Sequence, residues 1–450
     1  MSRSTSGAQP TRILITNVHS VRNAGDHVLL QVALEQLYAR FPGAQITLAM
    51  NDPASYPPER PERVVGSFTQ WVKPSGSGGR GWRIGWIVLA PLWLAWIAVV
   101  AAGQRFWGKA FGLPRPGAQR DLLRAYAEAD VVVSCAGNFL YSSGLLRLPL
   151  LLHLLALVYG AWMGKPVYML PQTLGPFRAG WEVWLLKWAL RQVQVVMVRD
   201  QLSMQLLQRG GSAHPNVIVA NVIVAPDIAF LYRGHEPSFV NALRQRPILA
   251  DPQNRPPLLG VTLINWQAQH DLFAGQAAYE LGVAAAIRHF VTRYNGVAVL
   301  FAQVLGPNLA DDDRVPARRV AALLADLGER VIQIDEELSP AQLKAGYGAV
   351  DIFLGSRLHA NIFALCEGRP VLAIAYQYKT HGIMQMLGLG EWVIDIEEVT
   401  GERICPMLDA LWTARVDVAE AVRAGVDAVQ ADARRAVEHI QRDARDGRHG

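Results

Sequence analysis

Residues 350–379 constrain the fold more than any other stretch. Residues 350–354, Val-Asp-Ile-Phe-Leu, form a short apolar run of the kind buried in a parallel sheet. Gly355-Ser356 turns the chain, and Ser356 is placed to N-cap the next segment. Residues 357–367 read as a helix, with Leu358, Ile362 and Leu365 on one face at spacings of four and three. Gly368 stops that helix and Pro370 prevents its resumption. Residues 371–375 supply the next strand, completing a β-α-β unit.

Arg357 and His359 then fall in the first helical turn, at the carboxyl end of a strand. Open α/β sheets bind ligands at that edge, and a helix N-terminus adds unpaired N–H groups and partial positive charge. A guanidinium and an imidazole there suit a phosphate or carboxylate. Arg357 paired with a nearby acid and His359 packed in the core would serve structure alone. The two together favour a ligand site.

With 450 residues the chain is long enough for two or three domains. A net charge of +5 favours acidic small molecules or an anionic membrane surface and does not demand nucleic acid. Cys135, Cys366 and Cys405 show no paired spacing, which fits a reducing compartment without structural zinc, and no metal cluster is evident. Residues 1–10 are polar and read as a frayed tail rather than a secretion signal.

Residues 11–240 read as a first domain of alternating strands and helices. The loop after its first strand carries Asn23 and Asp26, which could orient a substrate hydroxyl or simply build a turn and a helix cap. A third strand is expected at 64–72, a tight turn at Cys135–Asn138, and a loop beginning near Gln172. Two literal motif matches fail. The glycine pattern at 76–81 lies in a Ser/Gly linker and opens no helix, and the phosphate-loop match at 103–109 has Ala110 where a magnesium-binding hydroxyl belongs.

Residues 84–103 are twenty residues without a charge. Trp82, Trp86, Trp93, Trp96 and Trp107 lie in or beside them, with Arg80, Arg83, Arg105 and Lys109 on the flanks. Length permits a bilayer crossing. The strands on either side belong to one sheet, however, so the insertion, about 82–110, is expected to be monotopic or re-entrant, or an amphipathic helix pair on an anionic cytoplasmic surface. The other reading is a helical insertion buried on protein.

Residues 241–257, rich in Arg, Gln and Pro, read as a hinge. A second β/α domain occupies 258–415, in which Asp311–Asp313 open a helix and complement its dipole. Residues 416–450 form a charged amphipathic helix and a tail.

Several motifs, in order, resemble the polysaccharide pyruvyl transferase family. They are Asn23-Ala-Gly25-Asp26, Ala136-Gly137-Asn138, Gln172-Thr-Leu-Gly175-Pro176, Val198-Arg199-Asp200, Ala225-Pro226-Asp227, Gly355-Ser356-Arg357-Leu358-His359, and Gly368-Arg-Pro370-Val371 leading to Tyr376 and Lys379. The chain departs from the family at Cys135-Ala136, where glycines are usual, and at Gln377, where Asp is usual. The resemblance implies an α/β fold of two Rossmann-like domains with parallel sheets, like the GT-B glycosyltransferases, with a ligand cleft between the domains. It also implies transfer of a pyruvyl group from phosphoenolpyruvate to two hydroxyls of a sugar, giving a cyclic ketal and phosphate. The expected partners are phosphoenolpyruvate, a sugar or lipid-linked glycan acceptor and an anionic membrane surface, with no cofactor, metal or nucleic acid.

Under this reading Arg357, Arg199, Lys379 and Ser356 bind phosphoenolpyruvate, His359 and Asp26 are catalytic, and Asn23, Asn138 and Gln172 meet the acceptor. Two alternatives remain open: a sugar-nucleotide glycosyltransferase of the same fold, or a non-catalytic membrane-bound polysaccharide-assembly protein.

Overall fold

A computed structural model describes residues 10–72, 80–114, 116–142, 147–208, 218–251, 253–269, 273–306 and 311–446. The glycine pattern at 76–81 lies largely outside them. The chain forms two compact units. The first comprises residues 1–21, 29–227 and 434–450, and the second 22–28 and 228–433.

In the first unit the elements are β1 (Arg12–Val18), α1 (Ala24–Arg40), β2 (Gln45–Met50), β3 (Arg63–Gly66), α2 (Phe68–Val72), α3 (Arg80–Trp107), α4 (Ala118–Glu128), β4 (Val131–Ser134), β5 (Gly137–Leu140), α5 (Leu148–Trp162), β6 (Val167–Leu174), α6 (Gly180–Leu190), β7 (Val195–Val198), α7 (Gln201–Gln208) and β8 (Val222–Val224). The opening residues of α1 group with the second unit. All described strand pairs are parallel, in the order β3-β2-β1-β4-β6-β7-β8. β4 and β6, in the middle of the sheet, are buried along their whole length, as a sheet covered on both faces requires.

Three local expectations change. The segment read as one strand at 64–72 is β3 followed by α2, whose Phe68 and Trp71 turn into the core. β6 runs on through Pro171 to Leu174, so Gln172 lies in the strand and not in a loop. Its first half pairs with β4 and its second half with β5, which replaces the expected tight turn at Cys135–Asn138 with a short strand.

The apolar insertion is one helix, α3, and not a hairpin or a helix pair. Pro91 sits inside it without ending it. Its Ile97, Val100 and Ala101 are buried in the first unit's core, with Trp93 and Trp96 packed against the same cluster. Trp93 meets Phe68 and Trp71 edge-on, at centroid distances of 6.0 and 5.2 Å. Leu89, Leu92, Leu94, Val99, Phe106 and Trp107 are exposed. The helix is thus partly core and partly uncovered, and residues Leu89–Trp107 are long and apolar enough to cross a membrane by composition.

The second unit holds α8 (Ser238–Arg244), β9 (Leu258–Thr262), α9 (Trp266–Gln269), α10 (Gln276–Tyr294), β10 (Val297–Phe301), α11 (Arg314–Leu323), β11 (Val331–Gln333), α12 (Pro340–Gly348), β12 (Ile352–Gly355), α13 (Leu358–Cys366), β13 (Val371–Ala375), α14 (Lys379–Met386), β14 (Val393–Asp395), α15 (Gly401–Thr413) and α16 (Arg415–Asp446). Its sheet is also parallel, ordered β11-β10-β9-β12-β13-β14. The region read as a hinge at 241–257 contains the end of α8, whose Phe239, Val240 and Leu243 are buried. The second unit therefore begins before that stretch, at residue 228. The last residues of α16 group with the first unit.

Candidate active site

In the second unit β12 carries Gly355 to the carboxyl edge of the sheet, and α13 starts with Arg357 as its N-cap residue. Nearly all of α13 is buried, so its packing exceeds the single apolar stripe expected from its spacing. Gly355 permits a close approach: a Cβ there would fall 1.7 Å from Asn361 Oδ1, whose amide nitrogen donates to the Gly355 carbonyl at 3.1 Å. Ser356 does not cap α13. Its buried hydroxyl hydrogen-bonds the Tyr279 hydroxyl at 2.7 Å, and Tyr279 accepts the Ile264 N–H at 3.3 Å. The Ser356 hydroxyl is thus engaged in the core.

Arg357 is held by an acid. Its Nε donates to both Asp313 oxygens at 3.0 and 3.1 Å, and its Nη2 donates to Oδ1 at 2.5 Å. Asp313 is inaccessible to solvent, and its Oδ2 also accepts the backbone N–H groups of Gln303 and Val304 at 3.2 and 3.0 Å. Burial acts against the charged guanidinium, but Asp313 and Tyr376 outweigh it and hold the Arg357 pKa above its ordinary value. Among the described residues no protein acceptor takes Nη1. The sequence reading assigned Asp313 to the dipole of the next helix. A run of three aspartates did not say which one turns inward.

Lys379 opens α14, with Nζ 5.4 Å from the Tyr376 ring centroid. Trp266 lies 4.7 Å from the same ring. Burial would raise the Tyr376 pKa, but Lys379 and Arg357 together hold it below the ordinary phenol value. Tyr376 is a group with proton-transfer chemistry that was not among the expected site residues.

Residues 22–28 belong to this unit as well. Asn23 bridges Val304, and its Oδ1 accepts the Gly25 N–H at 2.9 Å, an Asx turn at the start of α1. Its side chain thus performs the turn role that was one of the two readings. A Cβ on Gly25 would lie 2.0 Å from His359 Nδ1, so only glycine fits there. Asp26 is half-buried in the first turn of α1. The second unit thus gathers Asn23, Asp26, Ser356, Arg357, His359 and Lys379.

Asn138, Gln172 and Arg199 lie in the first unit: Asn138 is the second residue of β5, Gln172 lies in the second half of β6, and Arg199 directly follows β7. The Gln172 amide nitrogen donates to the Cys135 carbonyl, and among the described residues its buried Oε1 meets no partner. Arg199 is buried, with Nε on Thr173 Oγ1 at 3.2 Å, Nη2 on the Gly137 carbonyl at 2.5 Å, and Nη1 paired with buried Asp227. Arg199 ties Thr173 and Gly137 together, and its charge is matched by Asp227.

A second polar group in the first unit also escaped the sequence reading. His153, on apolar α5, has Nδ1 2.9 Å from Asn17 Oδ1. Asn17, at φ 57°, donates to Ser134 Oγ at 3.1 Å and to the His153 carbonyl at 3.3 Å. The His19 ring lies 5.3 Å from that of His153. Burial first, and His19 second, hold the His153 pKa well below its ordinary value. Among the described residues no group of three or more His, Cys, Asp or Glu could hold a metal ion.

Comparison with solved structures shows the fold. The chain is similar to sucrose-phosphate synthase from Thermosynechococcus elongatus, at a TM-score of 0.54 and 14% identity, covering 96% of this chain and 98% of that one. It is also similar to UDP-GlcNAc 2-epimerase from Neisseria meningitidis, at a TM-score of 0.54 and 12% identity, covering 95% and 99%. Two parallel Rossmann-like sheets make this a GT-B-like α/β fold. In sequence the chain is 25% identical over 259 residues to the amylovoran biosynthesis protein AmsJ of Erwinia amylovora, covering 52% of this chain and 55% of AmsJ. It therefore spans about half the length of that curated relative. Residues 23–378 match the family Polysaccharide pyruvyl transferase, from the Asx turn at Asn23 to the segment carrying Tyr376, and the chain belongs to that family.

Proposed function

We propose that this protein transfers a pyruvyl group from phosphoenolpyruvate to two hydroxyls of a sugar, in a cell-surface polysaccharide or its lipid-linked precursor. The observation that carries the reading is the cluster at the head of α13: Arg357 fixed by Asp313, with Lys379 beside Tyr376. Phosphoenolpyruvate carries about three negative charges, so its site needs more than one fixed cation. Arg357 and Lys379 supply two, and the N-terminus of α13 adds partial positive charge.

Charge and proton accounting set the chemistry. An acid protonates the methylene carbon as an oxocarbenium-like centre develops at C2. The first sugar hydroxyl bonds to C2 and gives up its proton. The second hydroxyl then replaces phosphate at C2, and its proton leaves with the phosphate. The carbon that gained a proton becomes the ketal methyl. His359 and Tyr376 are the candidate groups for these transfers, and Asp26 is the candidate for orienting the acceptor. No further reactant is needed for the atoms to balance.

The exposed apolar residues of α3 support a place at the cytoplasmic face of a membrane, where lipid-linked acceptors would be presented. Exposed Arg105 and Lys109 at its end suit anionic headgroups. The decisive test is to incubate the purified chain with phosphoenolpyruvate and lipid-linked or nucleotide sugars. Phosphate release matched by a sugar product of the mass expected for a pyruvyl ketal is the expected result. Sugar transfer from a nucleotide donor without phosphoenolpyruvate would replace this reading by a glycosyltransferase.

A further inference from the structure

Helix α6 is built the wrong way round for a water-facing helix. Trp181, Trp184 and Trp188 succeed one another at spacings of three and four, which puts them on one face. All three are exposed, at 49%, 39% and 39%. The helix's acid, Glu182, is turned inward and fully buried, bonded to Ser142 and Arg147 at 2.6 Å each. Lys187 is buried as well. Leu186, Ala189 and Leu190 fill the core side. Arg178 precedes the helix, Arg191 comes directly after it, and both are exposed.

We infer that the α6 tryptophan face is a second membrane contact that seats the first unit on an anionic lipid surface. The inference rests on the membrane reading of α3 and extends it to an element that carries no long apolar run. Three features favour lipid over other occupants. Tryptophan suits the boundary between headgroups and acyl chains, where its ring is apolar and its N–H stays wet. The exposed face is bracketed by arginines and carries no acid, so its charge complements anionic headgroups. The same face on a second copy would bring arginine against arginine in a two-fold arrangement, which like charges oppose.

The face also belongs to a helix linked to α3 through α5. α5 packs beside both helices: Arg105 at the end of α3 donates to the Ala161 carbonyl at 3.3 Å, and Arg147 before α5 meets Glu182 in the first turn of α6. α5 therefore meets α3 near its last turn and α6 near its first.

The test uses the full chain and sedimentation with phosphatidylcholine vesicles, with and without phosphatidylglycerol. Trp181→Ser/Trp184→Ser/Trp188→Ser should bind the mixed vesicles about tenfold more weakly or worse, because three interfacial anchors are lost. Circular dichroism should be unchanged, since the replaced rings are exposed. Arg178→Gln/Arg191→Gln should lose the preference for phosphatidylglycerol while keeping residual binding. If the triple variant binds as well as the wild type, the inference about α6 falls and the α3 reading stands. If the wild type binds neither vesicle, both fall, whatever the enzymatic assay shows. A wild-type dimer that becomes a monomer in the triple variant, with vesicle binding unchanged, would give the face to a second copy.

Discussion

Arg357 and Asp313 are 44 residues apart in sequence yet meet through two guanidinium nitrogens, at 2.5 to 3.1 Å, with the carboxylate wholly buried. The pair fixes the guanidinium at the head of α13 and leaves Nη1 without a protein acceptor among the described residues. A fork held along one edge can present the other to an anion without losing side-chain entropy when the anion arrives.

Asp313→Asn should therefore damage donor binding although Asp313 need not touch the donor. The KM for phosphoenolpyruvate is expected to rise by about tenfold or more, with kcat reduced less. Breaking a buried pair from one side costs about 3–5 kcal/mol, so the unfolding midpoint should fall as well. Titration calorimetry with phosphoenolpyruvate, beside urea unfolding, separates the two effects. Unchanged donor affinity in a folded variant would reduce the pair to a structural tie.

His359→Ala should act on turnover. Loss of a general acid or base typically costs about 10²–10⁴ in rate, while donor binding should be largely kept. Phosphate release under saturating phosphoenolpyruvate, compared with direct donor binding, reads the split. A variant that loses binding and keeps kcat would reverse the assignment.

Tyr376 gives a pH prediction. Lys379 and Arg357 depress its pKa, so its ionisation sets in below the ordinary phenol value of about 10. If its protonated form is required, kcat/KM for phosphoenolpyruvate should fall on the alkaline side below that value. Lys379→Met removes a cation that stabilises the phenolate, so the alkaline limb should move to higher pH. Tyr376→Phe should abolish the limb. A limb that stays in place in both variants would exclude the phenol.

His153 links stability to pH. Its folded pKa is depressed, so the folded state favours the neutral ring and the unfolded chain binds a proton more readily. The stabilisation is intact above about 6.5, the unfolded value, and is lost as pH falls from there toward the folded pKa. Urea midpoints should drop on acidification across that window, and His153→Gln should flatten the change. An identical slope in the variant would assign the acid sensitivity elsewhere.

On α3 the two faces should respond oppositely. Ile97→Ala removes a fully buried side chain and should cost about 2–5 kcal/mol. Leu92→Ser, on the exposed face, should change stability by no more than about 0.5 kcal/mol. Deleting the whole helix would open the core around Phe68 and Trp71, so excision should unfold the first unit. Guanidinium unfolding of the three variants checks the order.

The sequence by itself determined the β/α alternation, because short apolar runs bounded by glycine and proline carry the period of buried parallel strands. It placed Arg357 and His359 at the head of a helix, since Gly355 and the strand before it set that position locally. It also marked 84–103 as too apolar for an ordinary surface element. Only the tertiary structure chose Asp313 from three adjacent aspartates, committed Ser356 to Tyr279, and matched the charge of Arg199 with Asp227. It alone made α3 a single helix, partly in the core, and turned Glu182 inward while leaving three tryptophans outside. The reason is physical. Periodicity records which residues prefer to leave water, and a local signal suffices for that. Which buried charge meets which partner depends on distances between segments far apart in the chain, and those distances exist only once the sheets have formed.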